Sequence, residues 1–259
     1  MNSAEIIGYM ESLADMKQRQ ILMRFFKTGK EEYGEGDEFL GLRVPQTRRI
    51  AKEVKDLPLH EVQTLLCCKW HEVRLCGFLI LVSKFEKFSK KKLLYDAKAI
   101  EERDLIVNFY LEHAHQANNW DLVDLSAPKI LGYWLLLPTL LGSTDRTAGL
   151  NTDYKLRILD QLADSKCLWL QRINIVCTWM TNRHGEPSYC LRYAERNLHH
   201  PHDLMHKAIG WMLREMGKNN NIELLRSFLE QHVHEMPRTM LRYAIEKLPE
   251  TERQMWLRR

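Results

Sequence analysis

Glycine and proline are scarce in this sequence, with 12 glycines and 8 prolines among 259 residues. A β-sandwich or β-barrel needs a turn at roughly every 8–12 residues, and these two residue types form many of those turns. The low content therefore predicts an all-α fold with roughly a dozen helices and no strand. Seven prolines stand where helical apolar patterns begin or end, as expected for a residue tolerated in the first helical turn: Pro45, Pro58, Pro138, Pro187, Pro201, Pro237 and Pro249.

The six cysteines include no Cys-x-x-Cys pair and no spacing with histidine that is typical of a zinc site. We interpret them as free thiols of an intracellular protein and predict neither a metal nor another cofactor. No apolar segment is long enough to cross a bilayer, and the N-terminus lacks a basic start followed by an apolar run. These absences predict a cytoplasmic protein with no membrane partner.

Net charge is also small, since 38 basic residues oppose 34 acidic ones to give +4. This balance permits a polyanionic partner without requiring one. The distribution is more informative, because residues 237–259 hold six basic and three acidic residues. Arginine matches phosphate geometry and neighbouring rings can contact sugars or bases, but Arg–Glu pairs on a solvated face would look similar. The candidate phosphate-binding residues are Lys207, Arg214, Arg238 and Arg242, beside Arg172.

An internal repeat is visible when five segments are aligned on a charged residue. These residues lie 50, 48, 35 and 35 positions apart: Arg74, Asp124, Arg172, Lys207 and Arg242. Such periods are typical of stacked helical pairs of the HEAT kind, in which each pair buries its apolar face against its neighbours. A curved array would align these residues along one concave face. A charged solvent face on each separate helix is the alternative, and both interpretations stay open.

Trp120 and Asp124 lie four positions apart in the segment Asn118-Asn-Trp-Asp-Leu-Val-Asp124. On a helix this spacing places both side chains on one face, about one turn apart. An indole face attracts positive charge, and a carboxylate adds a full negative charge, so the pair predicts a site for a cation. The alternative is a packing tryptophan and a surface carboxylate. Asp121 is interpreted as pointing elsewhere, as a first-turn charge that favours the helix N-terminus.

Four of the twelve glycines fall within residues 27–41. The segment has no Gly-x-x-x-x-Gly-Lys-Ser/Thr motif, and its acidic residues would repel phosphate. We therefore interpret it as a flexible loop anchored by Tyr33, Phe39 and Leu40, with the role of Gly34–Gly41 left open.

Six segments together resemble the AlkD-type DNA alkylation-repair glycosylases, and the similarity runs from about residue 15 to the C-terminus. They are long and occur in the order of the family. One position departs from it, because Gln171 stands where the family often has the first of two adjacent arginines. The segments are Gly-Lys-Glu-Glu-Tyr-Gly-Glu-Gly-Asp37, Phe39-Leu-Gly-Leu-Arg-Val-Pro-Gln-Thr-Arg48, Asn-Asn-Trp-Asp-Leu-Val-Asp124, Trp169-Leu-Gln-Arg172, Lys207-Ala-Ile-Gly-Trp-Met-Leu-Arg-Glu215 and Pro237-Arg-Thr-Met-Leu-Arg-Tyr-Ala-Ile-Glu246.

The resemblance implies a right-handed superhelical solenoid of HEAT-like repeats, a single domain over residues 1–259, with a concave basic groove for duplex DNA. It also implies hydrolytic excision of purines alkylated at N3 or N7, such as 3-methyladenine and 7-methylguanine, by a monomer that does not flip the base. The family's catalytic aspartate falls on Asp124, its active-site tryptophans on Trp120 and Trp211, and its catalytic arginine on Arg172. Trp211 is accordingly placed with the DNA-binding residues.

The residues suit this chemistry. Alkylation makes the purine cationic and weakens its glycosidic bond, so the base needs no general acid to leave. What remains is to stabilise an oxocarbenium-like sugar and to orient water, which a carboxylate such as Asp124 can do. Trp120 and Trp211 are expected against the deoxyribose, and Arg172 at a flanking phosphate.

Two other classes of function stay open. HEAT arrays also serve as protein-interaction scaffolds, in which Trp120, Asp124 and Arg172 would be packing residues. A non-catalytic DNA-binding relative is the other possibility, although it would be expected to have replaced the aspartate or the tryptophan, and both are present.

Overall fold

The computed structural model describes residues 1–140 and 152–259 of the chain. This part contains fifteen α-helices, and its only β-type pairing is an isolated bridge between Glu38 and Trp70. The prediction of an all-α fold is confirmed. No helix in the described ranges is long and apolar enough to span a membrane.

The helices fall into two compact units, which are described separately. The first unit comprises Met1–Ser126 together with a segment that starts at Pro138. Its helices are α1 (Ser3–Ser12), α2 (Met16–Phe25), α3 (Val44–Glu53), α4 (Leu59–Leu66), α5 (His71–Phe88), α6 (Ala97–Glu112) and α7 (Trp120–Ser126).

Helix α5 forms the centre of the first unit and packs against α3, α4, α6 and α7. Because neighbours surround it, most of its side chains are buried, including the polar residues His71, Glu72 and Arg74. A helix enclosed on all sides loses the polar stripe of a surface helix. The charged residues in the first turn of α5 must therefore find their partners inside the protein.

The second unit comprises Ala127–Leu137 and the described chain from residue 152 to Arg259. Helix α12 is its centre and packs against α9, α10, α11, α13 and α14. The helices are α8 (Thr152–Ala163), α9 (Leu168–Val176), α10 (Thr178–Arg183), α11 (Ser188–Arg196), α12 (Asp203–Asn219), α13 (Ile222–His232), α14 (Arg238–Ala244) and α15 (Glu250–Arg258).

Gly210 permits an unusually close approach of α12 to α14. A Cβ at this position would lie 2.4 Å from the carbonyl oxygen of Met240 and 2.6 Å from Cβ of Tyr243. Both distances are shorter than van der Waals contact, so only glycine fits without displacing α14.

Prolines mark helix starts as predicted. Pro45 lies in the first turn of α3, and Pro58, Pro187, Pro237 and Pro249 directly precede α4, α11, α14 and α15. The HEAT-type repeat, the curved groove and the single-domain organisation stay predictions.

Candidate functional site

Helix α7 places Trp120 and Asp124 one turn apart. Trp120 is the first residue of α7, and the side-chain oxygen of Asn119 accepts a hydrogen bond from its backbone N–H at 2.9 Å. The carbonyl of Asn119 accepts the N–H of Val123 at 3.2 Å, so the fully buried Asn119 ties down the start of the helix. Trp120 and Asp124 are both half-buried. The spacing in the sequence thus corresponds to one turn of a real helix.

An aromatic cluster surrounds the indole ring of Trp120. The ring stacks on Phe26, with centroids 5.3 Å apart and planes 29° apart, and meets the edge of Phe25 at 5.8 Å. Phe26 also stacks on Phe39 at 5.1 Å and contacts the ring of His71 at 5.0 Å. Phe26 and Phe39 are buried, whereas Phe25 is 59% exposed. Packing therefore fixes the plane of Trp120 while leaving an exposed aromatic side chain beside it.

His71, the first residue of α5, bridges two carboxylates in the interior. Its Nδ1 lies 2.8 Å from Oδ2 of Asp37, and its Nε2 lies 2.9 Å from Oδ2 of Asp121. The side chain of His71 is only 2% exposed. Because a carboxylate only accepts hydrogen bonds, both ring nitrogens donate, which makes this side chain an imidazolium.

The ionisation of the bridge follows from its surroundings. Burial by itself would lower the pKa of His71, but the carboxylates of Asp121 and Asp37 outweigh burial and raise it to about 9. Burial would raise the pKa of Asp37, but its hydrogen bond to His71 and the nearby charges of His71 and Arg74 lower it overall. At neutral pH the bridge therefore contains charged groups of both signs.

Arg74, one turn along α5, completes the charge balance. Its Nη2 donates to Oδ1 of Asp37, and its Nη1 donates to the carbonyls of Cys68 and Lys69 at 2.8 Å each. The residue is 4% exposed. The repeat alignment leaves open whether Arg74 lies on a concave face or on the solvated face of a separate helix. Its guanidinium is instead enclosed in a buried ion pair, so it offers its charge to neither surface.

The glycine-rich loop is held against α5. The carboxylate of Glu72 accepts the backbone N–H groups of Leu40, Gly41 and Leu42 at 2.9, 2.8 and 3.1 Å. Phe39 and Leu40 are buried, as their predicted anchoring role requires, and Tyr33 is half-buried. Glu72 is an additional anchor that the sequence did not reveal.

Close contact also fixes the position of Gly34 in this loop. A Cβ there would lie 2.4 Å from the carbonyl oxygen of Phe26 and 3.3 Å from Nδ2 of Asn119. Glycine at this position thus allows the loop to pass directly beside both the aromatic cluster and the residue that precedes α7.

In the second unit, Arg172 is a buried residue of α9. Its Nη1 donates to the carbonyl of Leu204 in α12 at 2.7 Å, and the residue is 5% exposed. The preceding Gln171, the departure from the family pattern, lies 2.9 Å from Nε2 of His200 through its Oε1. Arg172 is therefore held in one orientation by the start of α12.

Helix α12 carries Trp211, Lys207 and Arg214, and all three are half-buried. Nζ of Lys207 lies 2.7 Å from the carboxylate of Asp203. Arg214 forms an ion pair with Glu246, so the Arg–Glu alternative raised by the sequence applies to this residue.

Arg238 and Arg242 of α14 are exposed. Nη2 of Arg238 donates to the carbonyl of Leu257 at 2.8 Å. Arg242 is exposed and forms no ion pair within residues 1–140 and 152–259.

Sequence reasoning missed His71, Asp37 and Glu72. Asp121 is a first-turn acidic residue of α7 that points away from Asp124, as interpreted, but its partner His71 was not predicted. The available signal was the polar run His71-Glu-Val-Arg74, which directly precedes an apolar run in the same helix. Charged residues on a buried helix require partners, but the sequence does not say where those partners lie.

Comparison with known proteins agrees with this architecture. The family model described as "DNA alkylation repair enzyme" matches residues 6–248. A solved structure described as a predicted DNA alkylation repair enzyme from Enterococcus faecalis is 15% identical with a TM-score of 0.62, over 92% of this chain and 97% of that one. No curated protein matches the chain. At this identity the solved structure shows a shared fold, whereas the family match spans nearly the whole sequence. The chain belongs to the DNA alkylation repair enzyme family, as the sequence motifs had indicated.

Proposed function

We propose that this protein is a monofunctional DNA glycosylase that hydrolyses the N-glycosidic bond of cationic purines alkylated at N3 or N7 in duplex DNA. The observation that carries the proposal is the pair formed by Trp120 and Asp124. An aromatic ring and a carboxylate lie one turn apart on α7, both are half-buried, and stacking on Phe26 fixes the ring. This pairing of a π-face with a negative charge suits a cationic sugar or base.

The reaction requires the protein to stabilise positive charge on the sugar and to orient a water molecule. The bond between C1′ and the purine nitrogen breaks with its electrons going to the base, which leaves as a neutral molecule because alkylation had made it cationic. Asp124 stabilises the positive charge that develops on the sugar and orients a water molecule towards C1′. The proton lost by that water passes to Asp124 and then to solvent.

The aromatic and basic residues are assigned to substrate binding. Trp120 offers its ring to the deoxyribose from α7, and Trp211 does so from α12. Arg172 binds a phosphate beside the lesion, and its hydrogen bond to Leu204 keeps the guanidinium in a fixed orientation. Arginine suits this role because its planar fork matches two phosphate oxygens.

The remaining basic residues contact the DNA backbone: Lys207, Arg214, Arg238 and Arg242. They provide affinity independent of sequence, because phosphate contacts position a protein without reading bases. In this proposal the protein acts as a cytoplasmic monomer, without flipping the base and without cleaving the strand after base loss.

The experiment is release of free 3-methyladenine and 7-methylguanine from methylated duplex DNA at fixed salt, by the wild type and by Asp124→Asn. The wild type should release both bases above the spontaneous rate, and Asp124→Asn should bind the duplex equally well but release little. Asp56→Asn is the matched control, since this exposed carboxylate of the same unit forms one ion pair within the described part of the chain, with Lys87 at 3.9 Å.

If the wild type binds duplex DNA but releases no base, the glycosylase proposal fails and the protein is a non-catalytic DNA-binding relative. Absence of both binding and release would favour a protein-interaction scaffold. Full release by Asp124→Asn would remove Asp124 from the mechanism.

A further inference from the structure

Three segments that are distant in the sequence meet at one imidazole ring. Asp37 comes from the glycine-rich loop, His71 from the start of α5 and Asp121 from the first turn of α7. Asp121 directly follows Trp120, the ring on which the proposed chemistry depends. The bridge therefore connects α5, the central helix of the unit, to Asp121, the residue next to Trp120.

We propose that His71 is a positioning residue, which holds the first turn of α7, and with it Trp120 and Asp124, in the orientation needed for base excision. This inference rests on the proposed function for its effect on catalysis. Its structural part, the restraint on Trp120, can be measured whether or not the protein excises bases.

The bridge restrains α7 because it uses both ring nitrogens at once. A single hydrogen bond would allow Asp121 to pivot, whereas an imidazole bound to Asp37 on its other side has one orientation. The second carboxylate oxygen of Asp121, Oδ1, is buried and accepts no hydrogen bond within the described ranges. His71 is thus the group that determines where this carboxylate lies.

The ring of His71 contributes a second restraint through packing. It stacks on Phe39 with centroids 4.4 Å apart, and both rings contact Phe26, on which Trp120 is stacked. The imidazole therefore restrains Trp120 in two ways. It binds the carboxylate of the adjacent Asp121, and it contacts Phe26, on which Trp120 is stacked. Replacing it would disturb both.

The charges that face His71 come from three elements. Asp37 belongs to the loop, Asp121 to α7, and Arg74 and Glu72 to α5 itself. Arg74 and Asp37 already form an ion pair, and Glu72 is hydrogen-bonded to the loop backbone. Among the described residues, His71 is the one positive group paired with Asp121, so a neutral replacement leaves a partly buried carboxylate free to move.

The test compares His71→Gln with His113→Gln. Glutamine can donate a hydrogen bond to one carboxylate but carries no charge and cannot bridge both. His113 is a matched control because it is a buried histidine of the same unit whose Nδ1 bonds the carbonyl of Phe109, one turn earlier in the same helix, at 2.9 Å. Base release should fall roughly 10- to 100-fold in His71→Gln with unchanged duplex affinity, since small misplacement of catalytic groups has effects of this size.

The restraint on Trp120 is read separately by fluorine NMR of protein labelled with 5-fluorotryptophan. Seven tryptophans give the signals, and the spectrum of Trp120→Phe identifies the signal of Trp120. That signal should shift or broaden in His71→Gln and stay in place in His113→Gln. The double variant His71→Gln/Asp121→Asn should recover part of the lost release, because it removes the uncompensated carboxylate and allows a neutral amide pair.

The outcomes separate this inference from the proposed function. If the wild type releases no base but the Trp120 signal moves in His71→Gln, the glycosylase proposal fails and the restraint on Trp120 stands. If the wild type is active and folded His71→Gln retains both its release rate and the Trp120 signal, the positioning role is overturned. A loss of release equal to that of His113→Gln would also overturn it, because it would reflect stability alone.

Discussion

Charged side chains near Trp120 are buried and bonded to one another, whereas those on the helix of Trp211 lie closer to solvent and pair with acids of the surface. Asp37, His71 and Arg74 are each under 5% exposed, while the partners of Lys207 and Arg214, Asp203 and Glu246, have side chains 54% and 44% exposed. Both regions combine a tryptophan with charges. They differ in whether the charged groups are held in one orientation or can exchange their partners.

Buried charges with several partners determine orientation, since moving any one of them leaves another unsatisfied. Exposed pairs in water can open at low free-energy cost and exchange their partner for a phosphate. In the proposed function, the charges of the first unit would hold the reacting groups and those of the second would supply DNA affinity.

The largest contrast is expected between Asp37→Ala and Glu246→Ala. Removing Asp37 leaves Arg74 and His71 without their shared carboxylate in the interior, which should lower the free energy of unfolding by about 3–5 kcal/mol. Removing Glu246 deprives Arg214 of an exposed partner and should cost about 0–1 kcal/mol. Urea denaturation at pH 7 measures both, and equal losses would contradict the comparison.

The second prediction is that His71 makes the free energy of unfolding depend on pH. Folding raises the pKa of this residue from 6.5 to about 9, so the folded protein holds a proton that the unfolded chain releases. The stabilisation is fully present below pH 6.5, declines between pH 6.5 and 9, and is lost above pH 9. Each pH unit in this window is worth about 1.4 kcal/mol.

Thermal unfolding from pH 6 to 10 measures this effect as the difference between the wild type and His71→Gln. All other titrating groups are common to both proteins, so the difference isolates His71. A constant difference across the range would show that His71 does not take up its proton on folding.

The sequence was informative where local chemistry decides the structure. Scarce glycine and proline predicted helices, and Pro187, Pro237 and Pro249 marked the starts of three of them. The helical pairing of Trp120 with Asp124 follows from spacing alone. These features depend on neighbours within a few residues, which a single sequence contains.

Burial could not be predicted in the same way. Arg74 and Arg242 occupy equivalent positions in the repeat alignment, yet Arg74 is enclosed and Arg242 is exposed. The difference arises from what packs across from each helix, not from the helix itself. Likewise, His71 lies 34 and 50 positions from its two carboxylates, and no periodicity links residues at such separations.

A smaller effect on stability is expected where α12 meets α14 in the second unit. Gly210→Ala would place a methyl group 2.4 Å from the carbonyl oxygen of Met240, which should destabilise by about 1–3 kcal/mol. Gly8→Ala on α1 is the control, because no atom lies within 4 Å of its Cβ position. That change should stabilise by about 0.5–1 kcal/mol through helix propensity. Denaturant titration measures the free energy of unfolding, which should fall in Gly210→Ala and rise in Gly8→Ala. A rise in Gly210→Ala would show that α14 moves to accommodate the methyl group.

The smallest effect is expected from Arg242→Ala. Loss of one phosphate contact should weaken duplex binding by roughly 1 kcal/mol and lower the slope of log affinity against log salt by about 0.9. Stability should not change, because Arg242 is exposed. Arg253→Ala is the control, since this arginine pairs with Glu250 at 2.8 Å and has no proposed DNA contact. An unchanged salt slope in Arg242→Ala would remove it from the DNA-binding set.

The bridge at His71 also has a consequence for the order of folding. Helices of the first unit pack largely against neighbours in the sequence, such as α4 on α5 and α5 on α6, and such contacts close short loops at low entropic cost. Asp37 and Asp121 lie 34 and 50 positions from His71 on either side of it in the sequence, so we expect His71 to bind both only after α3–α6 have assembled. Because α7 is synthesised after α1–α6, we expect those six helices to begin packing before α7 is available. The geometry around Trp120 then becomes a late event of folding, and a chain stopped before residue 121 would hold an imidazole with one of its two carboxylates.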